Sequence, residues 1–292
     1  MRLAGKHQDQ NMKIRVRFSK KGDMRFIGHL DVMRHFQKAI RRSGLNIRFS
    51  EGMSPHMIMS FASPLGLGMV GYNEYVDMEM AGGIPCREIV TRLDEAMGTE
   101  EIRVLGCRKI EEGRRSNGMA IVTAAQYRVS LKDEAAGKLP EDWDQQLIAF
   151  CGRDEIMAEK KTKKGTALTD IRPLILNAGR EPYDGAALPR TATSALSETG
   201  ELMRPDADVP VHADSAEPVL PVTEGPSVCL LLASGSTSNL KIELVLESFC
   251  RDGGYDLPLT SFRVERLDLY TTAEAEDGSG KLISMAETGE EV

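Results

Sequence analysis

A chain of 292 residues is about two average domains long and can bury a core without disulfides or metals. With 41% hydrophobic and 28% charged residues it is neither wholly disordered nor collagen-like; no apolar run approaches the roughly 18 residues of a membrane helix, and MRLAGKHQDQNMK has no apolar signal core. The formal net charge of −7 hides a segregation: residues 177–225 balance at −6 and 271–292 at −5, whereas 13–48 carry eleven Lys or Arg against Asp23 and Asp31.

In chain order, IRVRF (14–18) alternates apolar and basic residues at period 2, as a half-buried strand does. After the turn-like KKGD, Leu30, Met33, Phe36, Ala39 and Ile40 recur at helical spacing, with Gly44 suited to the helix end. Strands are expected near 46–50 and 57–61, then a Gly-rich bend SPLGLGMVG and the alternating strand 72–80. Pro85 opens a short helix to about Met97, and EIRVLGCRKI reads as a strand. The order β-α-β-β-α-β over residues 12–112 is that of a ferredoxin-like unit.

The second half reads the same way over residues 118–271. Strand 119–131 precedes a helix after Pro140, two strands are expected at 154–161 and 167–176, and another at 227–234. Helix 238–250 and strand 262–270 complete the unit. Residues 177–225 hold six prolines and almost no aromatic residues, which predicts a disordered acidic insertion, and 272–292 an acidic disordered tail. The fold class expected is thus α+β, two ferredoxin-like (βαββαβ) units. The cysteines at 86, 107, 151, 229 and 250 contain no CxxC pair, so neither a zinc ribbon nor a disulfide framework is expected. A cytoplasmic protein with reduced thiols is the expectation.

Five stretches can carry chemistry. Arg34, Lys38, Arg41 and Arg42 project together from the first helix, either as a phosphate-tracking surface or as an ordinary solvated face. Asp31 and His35 are four apart on that helix, where a carboxylate can orient an imidazole; with His29 and His56 they are the candidate acid–base residues, against simple capping or surface use. No metal site is expected. EGMSPHMIMSFASPLGLG (51–68) offers Gly66 and Gly68 for close backbone approach, but is neither a P-loop nor a Rossmann fingerprint. KKTKKG sets Lys160, Lys161, Lys163 and Lys164 on a hairpin tip, followed by Arg172. Ser238 and Asn239 precede a helix whose first turn, with Lys241, can receive a phosphate or simply be capped.

Together, KKGDMRFIGHLDVMRHFQKAIRRSGLNIRFSEGMSPHMIMSFASPLGLG, KKTKKGTALTDIRPLI, SGSTSNLKIELVLESF and VERLDLY resemble the radical-SAM-linked protein family. That is a bacterial domain of unknown function, found alone or at the C-terminus of a cobalamin-binding-type radical SAM protein. The resemblance spans about residues 12–270 apart from the acidic insertion. The chain departs from the family at Met57 and Ile242, where Pro is usual, and has no CxxxCxxC motif. The resemblance implies an accessory or substrate-recognition role beside a radical SAM protein. This chain would bring no cofactor, and the partner would supply an iron–sulfur cluster, S-adenosylmethionine and cobalamin. The basic stretches add RNA as the expected ligand; a stand-alone His/Asp enzyme and a protein-interaction module are the alternatives.

Overall fold

The computed structural model describes residues 11–111, 116–162, 165–185, 225–236, 238–274 and 280–291. The first half runs β1 (Met12–Lys20), α1 (His29–Ser43), β2 (Met59–Phe61), β3 (Val70–Met80), α2 (Cys86–Met97) and β4 (Ile102–Ile110). The second adds α3 (Gly118–Ile121), β5 (Val122–Leu131), α4 (Trp143–Cys151), β6 (Met157–Thr162), β7 (Gly165–Asp170), β8 (Ile175–Gly179), β9 (Ser227–Ala233), α5 (Ile242–Asp252), β10 (Phe262–Glu274) and β11 (Gly280–Ser284). Nine strands form one mixed sheet in the order β4-β1-β3-β10-β5-β9-β8, with β2 on β3 and β11 on β10. The fold is α+β, with few helices. No helix among the described residues is long and apolar enough to cross a membrane.

Period-2 alternation decides which side chains of β1 face the helices. Ile14, Val16 and Phe18 face α1 and α2 and pack with Val32, Phe36, Ile40, Ile89 and Leu93. Gly44 closes α1 at φ +65°, a conformation that favours glycine. The second core gathers Trp143, Leu147 and Phe150 of α4, Val245 and Phe249 of α5, and Val228, Leu230 and Leu232 of β9. The halves join where β10 runs parallel to β3, Glu265 opposite Val70 and Arg266 opposite Gly71.

Several expectations need correction. Of the strands expected at 154–161 and 167–176, the parts in β6 and β7 do not enter the main sheet: those two pair only with each other, and only the end of the second stretch, from Ile175, joins the sheet as β8. Pro173, which cannot donate to a ladder, sits in a helical turn between β7 and β8. Around 46–50 the chain makes only isolated bridges, Ile47 to Met80 and Phe49 to Met57. Leu30, expected in the apolar stripe of α1, is 59% exposed; the buried stripe is Val32, Phe36, Ala39 and Ile40.

The C-terminal stretch expected as a disordered tail is ordered over residues 280–291, joining the sheet as β11 and packing on it beyond. There β11 pairs β10, Met285 is fully buried, and Glu290 bridges Lys109 of β4. Composition missed this because two apolar side chains, Leu282 and Met285, anchor an otherwise acidic segment. The expected insertion also begins later than 177, since Asn177–Gly179 belong to β8 and Tyr183 packs edge-on against Tyr270 at 5.7 Å. The remainder, 186–224, lies outside the described residues.

A buried basic cleft and two basic surfaces

Where β1 ends and α1 begins, a cleft is walled by the apolar Phe18, Val32, Phe61, Pro64 and Leu65, and by Lys20, His29, Ser63 and Glu74. Four parts of the chain meet there, β3 delivering Glu74. β1 delivers Lys20, α1 delivers His29 at its first position, and the loop after β2 delivers Ser63–Leu65. The loop is tied to the 22–26 turn by Gly68 N–H donating to the Arg25 carbonyl at 2.8 Å. His29 stands edge-on to Phe61 at 5.1 Å between ring centres.

Lys20 is 3% exposed, and its Nζ donates to the Ile27 carbonyl at 2.9 Å. Burial pushes its pKa down, against an opposing pull from Glu74, and Arg266 lowers it further. Glu74 is taken by Arg266 of β10, whose Nε donates to Oε1 at 2.8 Å and Nη2 to Oε2 at 2.5 Å. The same guanidinium donates to the Ser63 carbonyl at 2.7 Å. Burial also raises the Tyr127 phenol, with Arg266 opposing.

The sequence candidates separate in space. Asp31 accepts from Arg34 at 2.9 Å and does not serve His35. The His35 ring meets the Met97 backbone, and burial, then the charge of Arg42, lowers its pKa. Its Nε2 is buried without a hydrogen-bond partner. His56 is exposed, its Nδ1 2.8 Å from Ser50 Oγ. Only His29 of the four reaches the cleft. On the outer face of α1, Lys38 and Arg41 are exposed, and Arg42 donates to the Ala96 carbonyl near the end of α2.

The lysine hairpin does meet another candidate stretch. Lys160 Nζ approaches the Asn239 carbonyl at 3.4 Å, beside the start of α5, where Lys241 is the exposed N-cap. Ser238 uses its carbonyl to accept from Gly235 N–H at 2.8 Å. Arg172 is held structurally, donating to the carbonyls of Arg153 at 2.8 Å and Ile175 at 2.9 Å. Lys161 lies on β6; Lys163 and Lys164 lie outside the described residues. Among the described residues, no three His, Cys, Asp or Glu gather as a metal site.

Sequence reasoning passed over Glu74, Ser63 and Arg266. A signal existed: in β3, Val76, Met78 and Met80 point into the first core, and Glu74 continues their phase. A charge in the core phase of a strand marks a buried partner or a ligand.

These features define a class: an α+β protein with one nine-stranded mixed sheet, a buried cleft between β1, β3 and the start of α1, and exposed lysines on two surfaces. The chain belongs to the family described as "uncharacterized protein conserved in bacteria (DUF2344)", whose model matches residues 13–205. No curated protein matches it. One solved structure, described as an unknown protein from Galdieria sulphuraria, is 10% identical and aligns over 88% of this chain and 99% of that chain, with a TM-score of 0.22.

Proposed function

We propose that the protein is a recognition module that holds RNA for a radical SAM protein in the cytoplasm, through exposed basic side chains and without a cofactor of its own. The observation that carries the RNA part is the meeting of two separate sequence stretches: Lys160 of the hairpin lies against Asn239, next to Lys241. Two cations at the open start of a helix favour a phosphate. Lys38 and Arg41 on α1 supply a second exposed set. The radical SAM part rests on the resemblance of the four sequence blocks. We further read the halves as two ferredoxin-like units. In support, the orders β4-β1-β3-β2 and β10-β5-β9-β8 are antiparallel throughout, and each sets the first and third sheet strands of its half side by side.

The test is fluorescence anisotropy of a labelled single-stranded RNA across a salt series, comparing the native chain with Lys38→Gln/Arg41→Gln/Lys160→Gln/Lys241→Gln. The variant should bind more weakly on every sequence, with the log–log salt slope reduced by about 0.7 per lost contact. Equal affinity and slope would reject the RNA reading.

A further inference from the structure

We propose that the cleft at the start of α1 is a phosphate-binding site, built around Lys20 and taking one phosphate group of a nucleotide. This deepens the RNA reading and rests on it for the nucleotide. Charge is unbalanced in a buried place. Glu74 is the carboxylate of the cleft, and both its oxygens are engaged by Arg266, whose Nη2 also serves the Ser63 carbonyl. Lys20, Arg266 and Glu74 are each about 3% exposed or less. The trio therefore carries one positive charge more than it neutralises. Lys20 spends one of three N–H donors on a neutral carbonyl, that of Ile27. A buried cation without its own counter-charge is costly unless something supplies an anion.

The surroundings fit an anion from outside. The cleft opens beside the first turn of α1, which is preceded by Gly28, so no side chain caps its N–H groups. The mouth is flanked in the chain by large apolar side chains left in the open: Phe26 beside Ile27, Leu30 after His29, and Leu67 after Leu65–Gly66, exposed at 57%, 59% and 70%. The Arg25 guanidinium lies over the Phe26 ring at 4.5 Å. An exposed ring one residue before the Ile27 that holds Lys20 suits a base stacked outside while its phosphate reaches Lys20. The loss of charge that burial promotes at Lys20 is opposed by such a ligand, so binding holds the ammonium protonated.

The experiment uses the full chain labelled for NMR, titrated separately with inorganic phosphate, adenosine 5′-monophosphate and acetate. Phosphate and the monophosphate should shift the amides of His29 and Leu30 saturably, and Lys20→Met should weaken this about tenfold or more. Acetate should bind more weakly. Independently of any variant, phosphate should move the Lys20 titration, followed at its Cε, to higher pH. Absent shifts, an unmoved Lys20 titration, or equal binding by Lys20→Met would overturn the site. Equal binding of acetate would overturn its assignment to phosphate. If the surface quadruple variant loses RNA while phosphate still shifts His29, the cleft stands apart from the RNA surfaces. If RNA binds normally and phosphate shifts nothing, the cleft fails and the RNA reading survives.

Discussion

The outer face of α1 and the seam where β3 meets β10 are both rich in charge, but water reaches only the first. On α1, Arg34 and Asp31 pair at 2.9 Å with side chains 66% and 60% exposed, and Lys38 and Arg41 stand in solvent. At the seam Arg266 pairs with Glu74, and on the adjoining β1–β3 ladder Arg15 pairs with Asp77 at 2.8 Å, all nearly inaccessible. Tyr72 donates to Glu265 at 3.1 Å, and Tyr75 to Asp268 at 2.6 Å. Exposed charges are available to a partner and contribute little to folding. Buried ones fix the register in which the halves join, because each unmatched group leaves an unsolvated charge. The two regions differ in what their charges can do: one set stands in solvent and one is locked in the interior, where Lys20 is also buried.

Breaking the seam should have the largest effect. Glu74→Gln leaves the Arg266 guanidinium buried without its carboxylate, and a loss of about 3–5 kcal/mol is expected. Urea unfolding would show it as a lower midpoint. Pairing the change with Arg266→Met should recover much of the loss, since no guanidinium is then left buried without its carboxylate. A double variant no better than the single would mean that the contacts of Arg266 with Ser63 matter more than its charge.

A second test uses pH. Burial pushes the Asp268 carboxyl up to about 6, although Ser284 and Tyr75 donate to it and oppose the shift. The unfolded carboxyl has the ordinary value of 3.8. Between those values the native chain holds the proton and the unfolded chain has released it, so stability falls as pH rises from about 4 to about 6. The drop is on the order of 2–3 kcal/mol. Asp268→Asn, which stays neutral, should flatten this segment of the stability–pH curve; an unchanged slope would mean another group titrates there.

Much of the division was legible in the sequence. Alternation in IRVRF places Ile14 and Val16 in the core, and the 3.6-residue spacing of Phe36, Ala39 and Ile40 places α1 over them. The excess of cations over 13–48 was plain, but not its partition. Arg15 and Arg17 alternate with apolar residues just as solvent-facing side chains do, yet both are buried. What covers that face, the 116–118 segment and the C-terminal stretch, comes from far along the chain: Arg15 donates to the Ser116 carbonyl at 2.7 Å and to Thr288 Oγ1 at 2.5 Å. Local pattern records which face a side chain points to, not what later folds over it. The cleft escaped for the same reason, since Lys20, Ser63, Glu74 and Arg266 meet only across β1, β3 and β10. Asp31 and His35 show the converse. Spacing allowed the pair, but Arg34 is three residues away, exposed and already charged, and takes the carboxylate.

A deletion separates the acidic insertion from the seam. Tyr183 is buried on Tyr270, so a cut should begin after it. Removing about residues 186–222, rich in proline and acid, should leave the melting temperature within a few degrees, because such composition contributes little buried apolar area. A collapse of the fold would place part of that segment in the core.

The smallest effect on stability belongs to the exposed pair, and there the sign of the functional effect is informative. Asp31→Asn removes a surface bridge worth about 0.3–0.5 kcal/mol at most, so thermal unfolding should barely move. The same change frees Arg34, which now spends one Nη on Asp31, and removes a negative charge from the face that Lys38 and Arg41 share. If that face holds RNA, affinity should rise a few-fold at low salt and the log–log salt slope should steepen by up to about 0.7, one further phosphate contact. Weaker or unchanged binding would mean that the charges of this face do not meet RNA phosphates. Anisotropy on Asp31→Asn across the salt series therefore tests the contact face directly: tighter binding with a steeper slope supports it, and no change in either overturns it.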